Sequence, residues 1–495
     1  MVIESKPFAI SELTIQLSSL LVARYGLLKS EVDQSINKRI VPLISNLKDS
    51  LWVWIEHPYV DKVYRDSYYF YYSSKLGNYY KDCIRFSLFE KKIENSDFRN
   101  KENHDLLTRN YRGFVVVRPT IPNILGRNII SPLAFKNNGF IICSNEFPAT
   151  ANSNKFNVRG FPHSSQDSET ISCAETSIWG IMEYFGTKYA EYKPVLPSNI
   201  ISVLNELSYE RQIPSKGLYS NQLSYALRKF GFGTVLYSRK AYSDIENILG
   251  CYIESGIPCI VVIQSTKIAH AILCLGHENV ENSQYDTSVG KKVSLLNGIK
   301  IIDNDNVYKK FVFNDDNLVP YSLAHLNKPA DNYARADWQS CQITNIIVPL
   351  YSKIYLDAFK AKHYIRNLLS NSPIKLPNNS EVYLRMFLAS SRSYKHYLSM
   401  NVTFNDSLKE LILSISLPKF IWVAEISTLD LIKKKQANGI VILDATEANT
   451  SMFFTKPLIL ACYNNSLLVI EQNPMKTVKN DLTLQPFNIF ENNLN

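Results

Sequence analysis

Gln166, Cys173, His270 and Asp303 have the residue types and the chain order that thiol chemistry requires. Ser172 followed three residues later by Glu175 forms a capping box, which makes Ser172 the N-cap and Cys173 the first helical residue. A thiol at that position faces unpaired amide N–H groups and the positive end of the helix dipole, and both favour thiolate. Downstream, His270 stands near the start of an apolar strand, IAHAILCLG, and Asp303 lies at the end of the next one, KIIDND. The imidazole would take the proton from Cys173 and return it to a leaving group. Asp303 would accept the other ring N–H and fix the tautomer. The Gln166 amide and the backbone N–H of Cys173 would meet a developing oxyanion. Asn304 or Asp305 replaces Asp303 if the strand slips in register, and His277 and His163 are the competing histidines. If these residues do not meet, Cys173 is an ordinary buried cysteine and Asp303 an ordinary turn residue.

The elements that must position these residues can be read from periodicity. After Cys173, the residues Ala174, Ile178, Ile181, Met182 and Phe185 recur at helical spacing, and Gly186 offers a left-handed stop. Further helices are expected over Asn221–Phe230 and, from a second capping box at Ser243 and Glu246, up to Gly256. IPCIVVIQ and IAHAILCLG, joined through QSTK, form a candidate hairpin, and a polar loop from about 277 to 297 precedes the strand of Asp303.

Together these motifs resemble the papain-like cysteine peptidases, especially the type that processes bacteriocin leader peptides, over about residues 160–345. The resemblance implies Cys173 as nucleophile, His270 as base, Asp303 as orienting group and Gln166 as oxyanion donor. It also implies peptide or amide hydrolysis through a thioester acyl-enzyme, without a cofactor. The same triad serves deamidation and acyl transfer, and an inactive binding scaffold is the reading from a different class. The seven-residue step from Gln166 to Cys173 is one longer than usual in that family, so the loop must bulge or Asp167 must take the place of Gln166.

The flanking sequence has its own character. Two helices are expected between 11 and 47, then an aromatic stretch over 51–75 that reads as core, then strands at 112–120 and 139–144. Beyond 345 an amphipathic helix spans 351–370, and KFIWVAEIS, GIVILDAT, PLILACY and SLLVIEQ read as strands of a β-rich or barrel-like unit. The expected architecture is α+β in three parts: an N-terminal α+β domain (1–155), a papain-like hydrolase domain (156–348) and a C-terminal helix plus β-rich domain (349–495).

Composition limits the function classes. With 495 residues, 45% hydrophobic and 20% charged, the chain is globular and large enough for several cores. A formal charge of +9 without a nucleic-acid motif argues against nucleic-acid binding. Between 353 and 396 the basic residues outnumber two acids, Asp357 and Glu381, and make a candidate docking segment for an acidic partner. The eight cysteines show no CxxC pair, so neither a disulfide framework nor a structural zinc site is expected, and no metal is assigned. The absence of a leader pattern or a membrane-length apolar run makes cytoplasmic residence the expectation, with a protein or peptide as substrate.

Overall fold

A computed structural model describes residues 3–494 apart from 78, 168, 208–211, 214–216, 289–293, 297–298, 372–375, 377–380, 449–456, 464–465 and 470–483. The chain is α+β and carries several largely antiparallel sheets. The first has five strands in chain order, Glu4–Ala9, Trp52–Tyr59, Cys83–Phe89, Tyr111–Val117 and Leu125–Ile130. Helices Leu13–Tyr25 and Lys29–Asn46 form as the leucine and isoleucine spacing predicts and bury Leu13, Leu17, Leu21, Val32, Ile36, Ile40 and Leu43. The aromatic stretch becomes the second strand and the helix Lys62–Phe70, with Trp54, Tyr64 and Tyr72 buried as core.

The second sheet holds the hairpin foreseen in the sequence. Cys259–Gln264 pairs with Ala269–Glu278, with Ile263 opposite His270. Its neighbours are Phe311–Asn314 and Ser322–Ala324 on one side and Gln342–Val348 and Val235–Ser238 on the other. Phe140–Ile142, expected in the N-terminal domain, pairs instead with the far end of the 269–278 strand. The helix Cys173–Lys188 lies on this sheet and buries Ile178, Trp179, Ile181, Met182 and Phe185, each stabilising by roughly 1.5–3 kcal/mol. Gly180 permits the approach, since a Cβ there would stand 3.0 Å from Leu273 Cδ1. Gly186 does not end the helix. It lies inside it, where a Cβ would meet the backbone N of Pro194 at 2.3 Å, so its smallness serves packing rather than termination.

Among the described residues the third sheet is open rather than barrel-like, with strands in the order Ser294–Leu296, Ile299–Asp303, Glu381–Ser390, Phe420–Ser427, Gly439–Asp444, Leu458–Tyr463 and Ser466–Val469. Its first two strands come from the stretch between the hairpin and Phe311, and Ile299–Asp303 runs parallel to Glu381–Ser390. Strand exchange at 140–142 and at 294–303 therefore crosses both expected domain limits, and one continuous core joins residues of all three parts. The amphipathic helix begins at Ala358, later than expected, and buries Ala361 and Ile365.

Candidate functional site

Cys173 is the first residue of its helix, and the capping box of Ser172 and Glu175 is formed, with Ser172 N donating to Glu175 Oε2 at 3.1 Å. The preceding loop is held from two directions. Asp167 Oδ1 accepts the N–H groups of Glu169, Thr170 and Ile171 at 2.9, 2.7 and 3.0 Å. Arg118, buried in the N-terminal sheet, donates from Nη2 to the carbonyls of Ser165, Asn123 and Leu125 at 3.1, 3.0 and 3.0 Å. Asp167 therefore shapes the bulge that the long Gln166-to-Cys173 interval demands. Cys173 is half-buried, whereas the other seven cysteines are buried. Burial pushes the thiols of Cys143 and Cys462 up to about 12.

His270 is buried, with the Cys173 side chain close enough to act on its protonation. Its Nε2 lies 2.9 Å from Asp315 Oδ1, which leaves Nδ1 as the nitrogen for the thiol. Burial alone would lower the imidazole pKa, but the Asp315 carboxylate, its hydrogen bond and the Cys173 thiol outweigh it and raise it well above the ordinary value. Asp315 is itself tied down. Its Oδ1 accepts from the backbone N of Asn317 at 2.9 Å and its Oδ2 from Tyr333 Oη at 2.7 Å. Burial favours its neutral form, yet His270 and these donors hold its pKa below the usual value. Trp338 stacks on Tyr333 and presents its ring edge-on to His270 at 5.1 Å, shielding the pair.

The carboxylate that meets His270 is Asp315, and Asp303 is elsewhere. Asp303 ends a strand of the third sheet, fully buried, where it pairs with Arg366 and lies 3.5 Å from Lys362 Nζ. Asp305 joins the same group, accepting from Cys251 Sγ and Lys362 Nζ, both at 3.3 Å. A signal for Asp315 is present in the sequence: FVFNDD is also an apolar strand ending in acids. Antiparallel pairing of Leu273 with Asn314 brings the residues after Asn314 back beside His270.

Gln166 does join the site. Its Nε2 donates to Asn317 Oδ1 at 3.1 Å, and Asn317 Nδ2 approaches His270 Nε2 at 3.5 Å. His163 supports the site from behind, with Nδ1 2.9 Å from Asn128 Nδ2 and Nε2 3.1 Å from the Asp315 carbonyl. Burial lowers its pKa to about 4, so it is neutral, accepting from Asn128 and donating to Asp315. His277 sits at the opposite end of the strand, 3.0 Å from Glu254 Oε1.

Sequence reasoning also missed Asp316. It is buried, 3.4 Å from His270 Nε2, and neither carboxylate oxygen has a hydrogen-bond partner among the described residues. Burial raises its pKa to about 7, with His270 opposing and Asp315 adding to the rise. His270, Asp315 and Asp316 also form the one group of possible metal ligands among the described residues with donor atoms within 4.8 Å. His270 Nε2 and both Asp315 oxygens already have protein partners there, which leaves Asp316 alone with free donors.

The basic segment 353–396 does not present one charged face. Lys362 and Arg366 are spent on Asp303, and Arg385 on Glu254 and Glu425, inside the protein, while Lys395 donates to the carbonyls of Leu413 and Ile415. Lys375 lies outside the described residues. No helix among the described residues is long and apolar enough to cross a membrane. Comparison with protein-family models finds no matching family, and comparison with curated proteins finds no matching sequence.

Proposed function

We propose that the chain is a cysteine-dependent hydrolase of peptide or amide bonds, with a papain-like centre built from Cys173, His270 and Asp315. The observation that carries this reading is one continuous relay. A half-exposed thiol on a capped helix start lies within reach of an imidazole whose other nitrogen is held by a buried, triply hydrogen-bonded carboxylate.

The chemistry follows from the geometry. With Asp315 holding Nε2–H, His270 keeps Nδ1 for exchange of the proton with Cys173. The sulfur attacks the substrate carbonyl carbon, the C–N bond breaks, and His270 delivers the proton to the departing amine, leaving a thioester on Cys173. Water then loses a proton to His270, attacks the thioester and releases the acid and the thiol. Gln166 has one amide N–H engaged by Asn317 and a second for the oxyanion. The N-terminal unit contributes through Arg118, which fixes the loop carrying Gln166.

Incubation of the full chain with a proteome-derived peptide mixture tests this. New peptide termini or deamidated side chains, absent with Cys173→Ala, are expected, together with a trapped acyl group on Cys173. If neither product appears and no acyl group accumulates, the chain is a binding scaffold on this fold.

A further inference from the structure

We propose that a cavity on the outer face of the N-terminal sheet binds a small anion carrying a flat ring. It is separate from Cys173 and does not depend on the hydrolase reading. Its volume is about 650 Å³, within the roughly 300–1,000 Å³ range of small-molecule sites. The walls come from the strands that hold Tyr59, Arg85, Phe114 and Arg127, from the hairpin 145–160 and from the helix His104–Asn110.

Two guanidiniums are fixed there: Arg85 has four of its five N–H groups engaged, and Arg127 keeps those of Nη1 and Nη2 without hydrogen-bonded partners among the described residues. Arg85 is buried and gives Nε and Nη2 to Glu56 Oε2, at 3.2 and 2.6 Å, while Nη1 faces Tyr59 Oη at 3.1 Å and Thr150 Oγ1 at 3.4 Å, both in the cavity wall. Arg127 gives Nε to Asp61 Oδ2 at 2.8 Å. Its Nη1 stays 3.9 Å from Glu183 Oε1, too far for a hydrogen bond. The carboxylates that orient both guanidiniums do not line the cavity, and no acidic residue among the described residues does. Lys155 adds an exposed ammonium at the rim. A fixed guanidinium fork with unused N–H groups matches the oxygens of a phosphate or carboxylate.

The remaining wall sets aromatic rings beside Thr108, Pro148, Ala149 and Asn157. Phe156 stacks on Tyr111 at 4.7 Å and on His104 at 6.0 Å, and Phe114 carries the Arg127 guanidinium at 4.9 Å from its ring centroid. Such rings accept a flat partner by offset or edge contact. A cationic end beside an aromatic end selects an aromatic phosphate ester or aromatic carboxylate over a bare anion.

Calorimetric titration of the full chain with phenyl phosphate, benzoate, inorganic phosphate and phenol tests the proposal. Saturable one-to-one binding of phenyl phosphate or benzoate, tighter than phosphate or phenol, is expected, and the tighter of the two ring anions identifies the oxyanion. Two exposed positions supply variants that leave the core intact. Lys155→Glu should weaken binding by about tenfold, and Thr150→Trp, which fills the mouth, should abolish it. No saturable binding, binding equal to that of inorganic phosphate, or binding unchanged in both variants would overturn the proposal.

Discussion

Replacing Asp315 by Asn removes one charge from the centre of the site and obliges the Tyr333 hydroxyl, which donates to Oδ2, to turn and accept from the new amide. The amide oxygen can still accept from His270 Nε2 at the observed 2.9 Å, so the ring stays in place while the field changes. An opposite charge at such range shifts a partner by ~1–3 pKa units, or about 1.4–4 kcal/mol. Asp316, 3.4 Å from the same nitrogen, holds part of the effect and keeps the drop from exceeding that range. NMR titration of the His270 ring, assigned with His270→Asn, reads the change directly. In the wild type the ring should remain protonated beyond about 6.5, the ordinary histidine value. In Asp315→Asn its midpoint should fall by ~1–3 units. Because the folded pKa is raised, His270 contributes stability that is complete below about 6.5 and is lost as pH rises through the folded midpoint. That pH dependence should shrink in the variant. An unchanged midpoint, or an equal fall in Asp303→Asn, would refute the assignment of Asp315.

Other consequences can be checked separately. Asp303→Asn leaves Arg366 without its buried anion, while Lys362 keeps Asp305, and should cost about 3 kcal/mol in urea unfolding, with no change in the His270 titration. His163, held at about 4 by burial, refuses a proton that the unfolded chain accepts near 6.5; stability should therefore fall by ~3 kcal/mol as pH drops between these values, a component missing in His163→Asn. Arg118→Ala frees three carbonyls of the site loop and its support; hydrogen exchange of residues 164–172 should accelerate, and Cys173 alkylation should slow. Arg385→Ala leaves the buried Glu425 without its cation and Glu254 with His277 and Lys309 alone, and should cost about 3 kcal/mol.

The sequence showed local devices well and long-range placement poorly. The capping box at Ser172, the helix from Cys173 and the hairpin that carries His270 are written in adjacent residues, and all three form. The sequence misplaces Asp303 because a strand ending in acids does not say which sheet it joins; Ile299–Asp303 leaves the His270 sheet for a parallel partner 81 residues on, Leu384 opposite Asp303. The same residues explain the basic segment, whose charges read as a surface until their internal carboxylates are known. Gly186 carried a helix-stop signal, but the close approach of Pro194 is a tertiary fact that spacing cannot contain. Gln166 suits an oxyanion by its place before Cys173, but its tie to Asn317 depends on the Asn314 strand lying beside that of His270, which adjacent residues do not encode.

The most direct test of the account is iodoacetamide labelling of Cys173 at about pH 7 in wild type and His270→Ala, followed by peptide mass mapping. Cys173 is the half-exposed cysteine, so faster labelling than the buried seven decides nothing; the dependence on His270 does. An unassisted thiol is only a few per cent thiolate at this pH, so loss of the imidazole should slow labelling by about tenfold or more. Equal rates in the two proteins would show that the imidazole does not activate the thiol and would contradict the proposed chemistry.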